Sequence, residues 1–218
     1  MTGAPGTPGD AALLADEIAP RPVLRHDVLQ RGRIIALVQD EVDLGDAGVV
    51  TREYVEHPGA VAIVALDDQD RILLERQYRH PVRSYMWEVP AGLLDVDGEP
   101  AVGAAARELA EEADVTAERW AVLADYATTP GSSDEAVRIF LARGIAPVAE
   151  ADRHERTGEE AGMELRWVPL DEAVARVLDG SLHNPSTVVG ILAAATSRAG
   201  GWASLRPTDA PWPARPGA

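Results

Sequence analysis

The run from Gly92 to Val115 carries seven acidic side chains around a single arginine, and its centre reads Arg107-Glu108-Leu109-Ala110-Glu111-Glu112. On an α-helix, Glu108, Glu111 and Glu112 are related by i, i+3 and i+4, so their carboxylates leave from one face. Like charges at that spacing repel and weaken the helix unless a cation neutralises them. Arg107 alone cannot neutralise three. Carboxylate oxygens are the donors that Mg²⁺ and other hard divalent ions take, commonly together with substrate phosphates. Val102, Ala105 or Ala106, Leu109 and Ala113 form an apolar stripe on the same helix, suited to docking on a core. A charge run of this kind also fits a plain solvated helix face, which is the commoner origin of such runs.

Such a helix needs a scaffold, and the flanking sequence predicts one. Arg33–Val38 and Val49–Val55 read as two strands around the turn Gly45-Asp46-Ala47-Gly48, an antiparallel hairpin. A lone hairpin is barely stable, so it should pack on the main domain or on a partner subunit. Ala60–Leu66 is a continuous apolar run fitting a buried strand, and Arg71–Tyr78 returns as its partner after the Asp67–Asp70 turn. Glu88–Ala91 is short and extended, and Glu99–Ala113 is the acidic helix. Trp120–Thr128, Ala136–Ala142 and Met163–Val168 alternate like strands. Asp171–Leu178 is a helix, and Asn184-Pro185 opens a last one, with Asn as cap and Pro at the first helical position. The composition marks residues 1–20 as disordered, 21–57 as an N-terminal sheet region, 58–200 as the main domain, and 201–218 as a Pro-rich tail, disordered or draped over a neighbour. Mixed strands with two or three helices make the class α/β.

Composition narrows the chemistry. The chain has 218 residues, 46% hydrophobic and 26% charged, which suits an ordinary globular protein. All 20 basic residues are Arg, which excludes lysine Schiff bases and a P-loop lysine; the absence of Cys excludes disulfides and thiolate zinc. A net charge of −16 argues against binding nucleic acid or anionic membranes through bulk electrostatics. No basic-then-apolar leader and no run of transmembrane length is visible, so the expected location is cytoplasmic.

The acidic segment resembles the Nudix box, G-x5-E-x7-R-E-U-x-E-E-x-G-U with U aliphatic, filled here by Gly92, Glu99, Arg107, Glu108, Leu109, Glu111, Glu112 and Val115. It departs twice. Six residues rather than five separate Gly92 from Glu99, and Asp114 stands where the motif has glycine. Asp tolerates the left-handed conformation that such a helix terminator needs. The flanking segments His57-Pro58-Gly59, Arg76-Gln77-Tyr78-Arg79, Trp87-Glu88-Val89-Pro90-Ala91-Gly92 and Pro130-Gly131 resemble the ADP-ribose pyrophosphatase branch, with similarity to its actinobacterial members.

That resemblance implies a Nudix α/β/α sandwich with a mixed sheet, preceded by a small N-terminal antiparallel sheet that two protomers exchange in a homodimer. It implies hydrolysis of ADP-ribose to AMP and ribose 5-phosphate with Mg²⁺, for which Mn²⁺ can substitute. The Ala91 carbonyl, Glu108, Glu111 and Glu112 would hold the metal; Arg107 would orient the glutamates, and Glu99 would tie down the helix start. The base would come from the acidic loop before the last strand, as Glu160 or else Glu159. A planar guanidinium binds phosphate bidentately, which selects Arg79 for the diphosphate, with Arg52 and Arg76 as further candidates. Tyr78, Tyr85 and Trp87 offer rings for adenine, or for core or dimer packing. Glu88 could accept from the adenine amino group or ribose hydroxyls. The alternatives are a Nudix hydrolase of another nucleoside diphosphate derivative, or a non-catalytic ADP-ribose-sensing regulator. Three intact box glutamates and the absence of a visible DNA-binding extension weigh against the regulator.

Overall fold

A computed structural model describes residues 14–154 and 162–215. Ten strands and three helices follow in the order β1 (Val23–Arg31), β2 (Ala36–Asp43), β3 (Val49–Glu56), β4 (Ala60–Ala65), β5 (Arg71–Arg79), β6 (Ser84–Glu88), β7 (Ala91–Leu93), α1 (Ala101–Ala113), β8 (Val115–Ala127), β9 (Ala136–Pro147), β10 (Glu164–Pro169), α2 (Leu170–Leu178) and α3 (Pro185–Ala199). They make three sheets, ordered β1-β2-β3, β10-β5-β6 and β7-β4-β9-β8. Among the described strand pairs only β4 and β9 run parallel, and the other six are antiparallel.

The four-stranded sheet is the middle layer because β4 is apolar on both faces. Ala62, Val64 and Leu66 join Ile139 and Leu141 of β9 in a core against α2 and α3. Val61, Ile63 and Ala65 point the other way and join Phe140 with Ala104, Ala105 and Leu109 of α1. The period-2 alternation of one strand thus fills two cores. The α/β/α sandwich expected from the sequence is present, with an antiparallel sheet ahead of it.

Three local expectations are corrected. Val23–Arg31 is a strand, although its side chains are exposed along almost its whole length and so carry no alternation to read. Arg33, Ile34 and Ile35 are not in a strand; they form the β1–β2 turn, closed by the Gly32 N–H donating to the Ile35 carbonyl at 2.8 Å. β5 does not pair along β4. After the Asp67–Asp70 turn only Leu66 and Ile72 bridge, and β5 crosses to the sheet of β6 and β10.

The tail is a fourth correction. Arg206 pairs with Val122 at the free edge of β8 and bonds the Asp125 carboxylate at 2.9 Å. Arg138, 3% exposed, grips both Asp125 oxygens at 2.8 and 3.0 Å and donates to the Ala210 and Pro211 carbonyls. Its guanidinium carbon stands 4.7 Å from the Trp212 ring centre. A buried arginine must find acceptors, and the tail carbonyls supply them. Asp125→Ala leaves that charge without its carboxylate and is expected to cost about 3–5 kcal/mol. Thermal unfolding should then move down by roughly 10 °C for a chain of this size; a shift within 2 °C, by rough estimate, would refute the role of the clamp.

Candidate active site

The acidic helix α1 begins at Ala101 rather than Glu99, because Pro100 takes the extended cap position with φ −62° and ψ 141°. Glu99 instead anchors the loop before it. Its two oxygens accept from Arg107 Nε and Nη2 at 3.2 and 3.1 Å. Nη1 of the same guanidinium reaches Glu108 at 2.7 Å and Glu111 at 3.3 Å. One arginine therefore gathers three box carboxylates, and the hydrogen bond to Glu99, followed by the charge of Glu108, holds its pKa above the ordinary arginine value. At the far end Asp114 adopts φ 52°, ψ 32°, and its N–H returns to the Ala110 carbonyl. Asp thus does here what the motif assigns to glycine.

Opposite α1 lies the turn from β6 into β7. The Val89 N–H donates to buried Thr187 Oγ1 at 3.0 Å, and the Pro90 carbonyl accepts from Ile63 N–H at 2.8 Å. These bonds fix Ala91 and Gly92 against the helix. The Ala91 N–H donates to Glu112 Oε2 at 3.0 Å, and Glu112 is 8% exposed. A Cβ on Gly92 would fall 2.1–2.2 Å from the Glu108 carboxyl group. The motif glycine is therefore a matter of space: Glu108 occupies the volume a side chain would need. Gly92→Ala should displace Glu108 and reduce turnover about 10–100-fold, the usual effect of disturbing a ligand's support. An alanine variant with wild-type kinetics would show that Glu108 is not needed where it lies.

The donors at this corner are all oxygens, the set that Mg²⁺ and related ions take. Among the described residues no three acidic or histidine side chains already form a metal cage. Glu108 and Glu111 are instead on Arg107. Donor chemistry, a nearly buried glutamate and the close approach of the Glu108 carboxylate to Gly92 fit a divalent cation.

Ala91 and Gly92 of this corner line a cleft of about 930 Å³, together with Arg79, Met86 and Glu88. Its size is within the ~300–1,000 Å³ of ligand sites. Sequence reasoning missed other residues of its lining: His57, Tyr126, Thr128, Glu135, Asn184 and Ser186. Thr128 Oγ1 donates to Glu135 Oε2 at 2.7 Å, and His57 Nε2 stands 3.5 Å from Glu135 Oε1. The Tyr126 hydroxyl lies 2.7 Å from Ser186 Oγ, and burial, chiefly, pushes its pKa above the ordinary phenol value. A clue was present in the alternation of Tyr126 and Thr128 ahead of Pro130, but His57 has no ligand-like spacing in the chain.

The predicted substrate residues divide. Arg79 and Glu88 face the cleft and are locked together. Trp87 does not; it lines a separate pocket of about 370 Å³, with Arg166 at 4.8 Å from its ring. Arg76 and Tyr78 lie on the other side of β5 from Arg79, since neighbours in a strand alternate. Arg76 stacks on exposed Tyr85 at 4.7 Å, and Tyr78 tilts against the same ring. Arg52, on β3, is exposed and its Nη1 donates to the Thr51 carbonyl. Glu159 and Glu160 lie outside the described residues.

A sandwich whose acidic helix packs against Ala91 and Gly92 of a nucleotide-sized cleft is the frame of a pyrophosphohydrolase. The NUDIX domain model matches residues 56–186, and the chain belongs to that family. It is 47% identical over 195 residues to an ADP-ribose pyrophosphatase of Mycobacterium tuberculosis, covering 88% of this chain and 91% of the relative. It is 33% identical over 160 residues to an ADP-ribose pyrophosphatase of Bacillus subtilis, covering 73% and 84%. A solved ADP compounds hydrolase shares the fold with a TM-score of 0.66 at 21% identity, over 86% of this chain and 98% of that one. Among the described residues no helix is long and apolar enough to cross a membrane.

Proposed function

We propose that this protein hydrolyses the diphosphate of ADP-ribose, giving AMP and ribose 5-phosphate, with Mg²⁺ as the working ion and Mn²⁺ as a substitute. The observation that carries the reading is the packing of Glu108 and Glu112 against Ala91 and Gly92, two residues that line the cleft. Together with the 47% identity, it supports a diphosphate-cleaving site rather than a solvated acidic face.

Glu108, Glu111, Glu112 and the Ala91 carbonyl would hold the metal. When bound, the ion neutralises diphosphate charge and lowers the pKa of a water molecule. Arg107 keeps the glutamates oriented, and Glu99 fixes Arg107. Arg79 contacts the diphosphate from the cleft wall, where a guanidinium matches paired phosphate oxygens. A carboxylate oxygen of Glu160, or else of Glu159, takes the proton of the attacking water. A P–O bond forms to that water as the bond to the bridging oxygen breaks. The Gln variants of the two glutamates separate them, because only the true base should lose turnover with KM held.

The protein acts in the cytoplasm as a homodimer with exchanged N-terminal sheets. Leu24, Val28, Leu29 and Leu37 of that sheet, with Ile34 and Ile35 of its β1–β2 turn, are exposed in the single chain, apolar surface that a second copy would cover. Incubation with ADP-ribose and Mg²⁺, with AMP measured by chromatography, tests the reaction. AMP release that stops with EDTA is the expected result. If ADP-ribose stays intact while another nucleoside diphosphate derivative is cut, the substrate assignment falls and the class of reaction stands.

A further inference from the structure

Arg79 at the end of β5 and Glu88 at the end of β6 hold each other in a fork. Nε lies 3.0 and 3.1 Å from the two Glu88 oxygens, and Nη2 lies 2.6 Å from Oε2. Glu88 is 2% exposed, so this carboxylate is committed to the pair rather than waiting for an adenine or a ribose hydroxyl. Glu75, 1% exposed, stands directly opposite Glu88 in the strand pairing. Burial pulls the Arg79 pKa down, yet Glu88, then Glu75 and Glu112, outweigh it and hold the value above the ordinary one. The guanidinium is thus held by one buried carboxylate, Glu88, and lies in the field of two more, Glu75 and Glu112, the last of which belongs to the box. Such an arginine has several acceptors within its field, and the fork decides which one it takes.

We propose that Glu88 is a positioning residue: it holds Arg79 on the cleft wall for the diphosphate and keeps that guanidinium away from Glu112. The diphosphate half rests on the function proposed above, whereas the Glu112 half does not need it. If the fork is broken, the guanidinium turns towards the remaining buried carboxylates and competes with a divalent cation for Glu112. Removing Arg79 as well removes the competitor.

Three variants of the full chain separate this role from simple charge. Glu88→Asp keeps the charge but withdraws the carboxylate by one methylene. Glu88→Gln removes the charge, and Glu88→Gln with Arg79→Met removes both partners. Mn²⁺ binding without substrate, followed by electron paramagnetic resonance, should weaken about tenfold in Glu88→Asp and Glu88→Gln. It should return close to the wild-type value in the double variant. In both single variants KM for ADP-ribose should rise more than kcat falls.

Wild-type Mn²⁺ affinity and KM in a folded Glu88→Asp protein would overturn the proposal. A double variant as weak as Glu88→Gln would also do so, since that pattern belongs to a structural ion pair. Failure of every variant to fold would count against it in the same way. A wild-type protein that binds Mn²⁺ but leaves ADP-ribose intact would defeat the functional reading, while the Mn²⁺ series would still decide what Glu88 does.

Discussion

Glu112→Gln is expected to slow AMP release from ADP-ribose by about three orders of magnitude, or ~4 kcal/mol of transition-state stabilisation. The substitution is nearly isosteric, and its amide oxygen can still accept from the Ala91 N–H. Only the charge is lost, at the point where the proposed site would bring the divalent cation and the diphosphate together. Stability should hold or rise slightly, because Glu108 and Glu112 repel each other at i, i+4. The paired outcome is diagnostic: turnover collapses while the melting temperature stays level. Turnover within about tenfold of wild type would show that Glu112 is an ordinary buried glutamate.

The second large effect concerns assembly. A pair of substitutions, Leu24→Asp and Leu29→Asp, puts charge into the exposed apolar patch of the N-terminal sheet. Each buried leucine stabilises an interface by about 1.5–3 kcal/mol, and a buried unpaired charge costs more than that. Light scattering should report a fall from twice the chain mass to once. Activity should fall with it by about 10–100-fold, since Arg33, Ile34 and Ile35 of the β1–β2 turn line the cleft and small displacements there are costly. A wild-type chain already monomeric at assay concentration would refute the exchanged-sheet dimer.

Much of the site was legible in the chain because its logic is local. Helical periodicity by itself places Glu108, Glu111 and Glu112 on one face and Leu109 and Ala113 in the core, and the structure agrees. Asn184-Pro185 likewise starts α3, with the Asn184 side chain accepting from Thr187 N–H. The strand β1 was not legible, because a sheet exposed on most of its surface leaves no alternation to read. Nor was the tail. The partners that recruit it, Asp125 and Arg138, lie far back in the chain, and loop entropy grows too slowly with length to forbid distant contacts.

Sequence alone determined the acidic helix, its terminator at Asp114, the buried strand β4 and the α/β class, because each depends on spacing within about one or two turns or on a short alternation. Tertiary structure decided which predicted partners meet. It put Arg79 and Glu88 into one fork and turned Trp87, Tyr78 and Arg76 to other surfaces. It also brought His57, Tyr126 and Glu135 into the lining of the same cleft as Ala91 and Gly92. The physical reason lies in the strands. Successive side chains leave a strand on opposite faces, and which face meets the cleft is settled by sheet order and by the crossing of β5 away from β4. Those are choices of long-range pairing, and no local spacing encodes them.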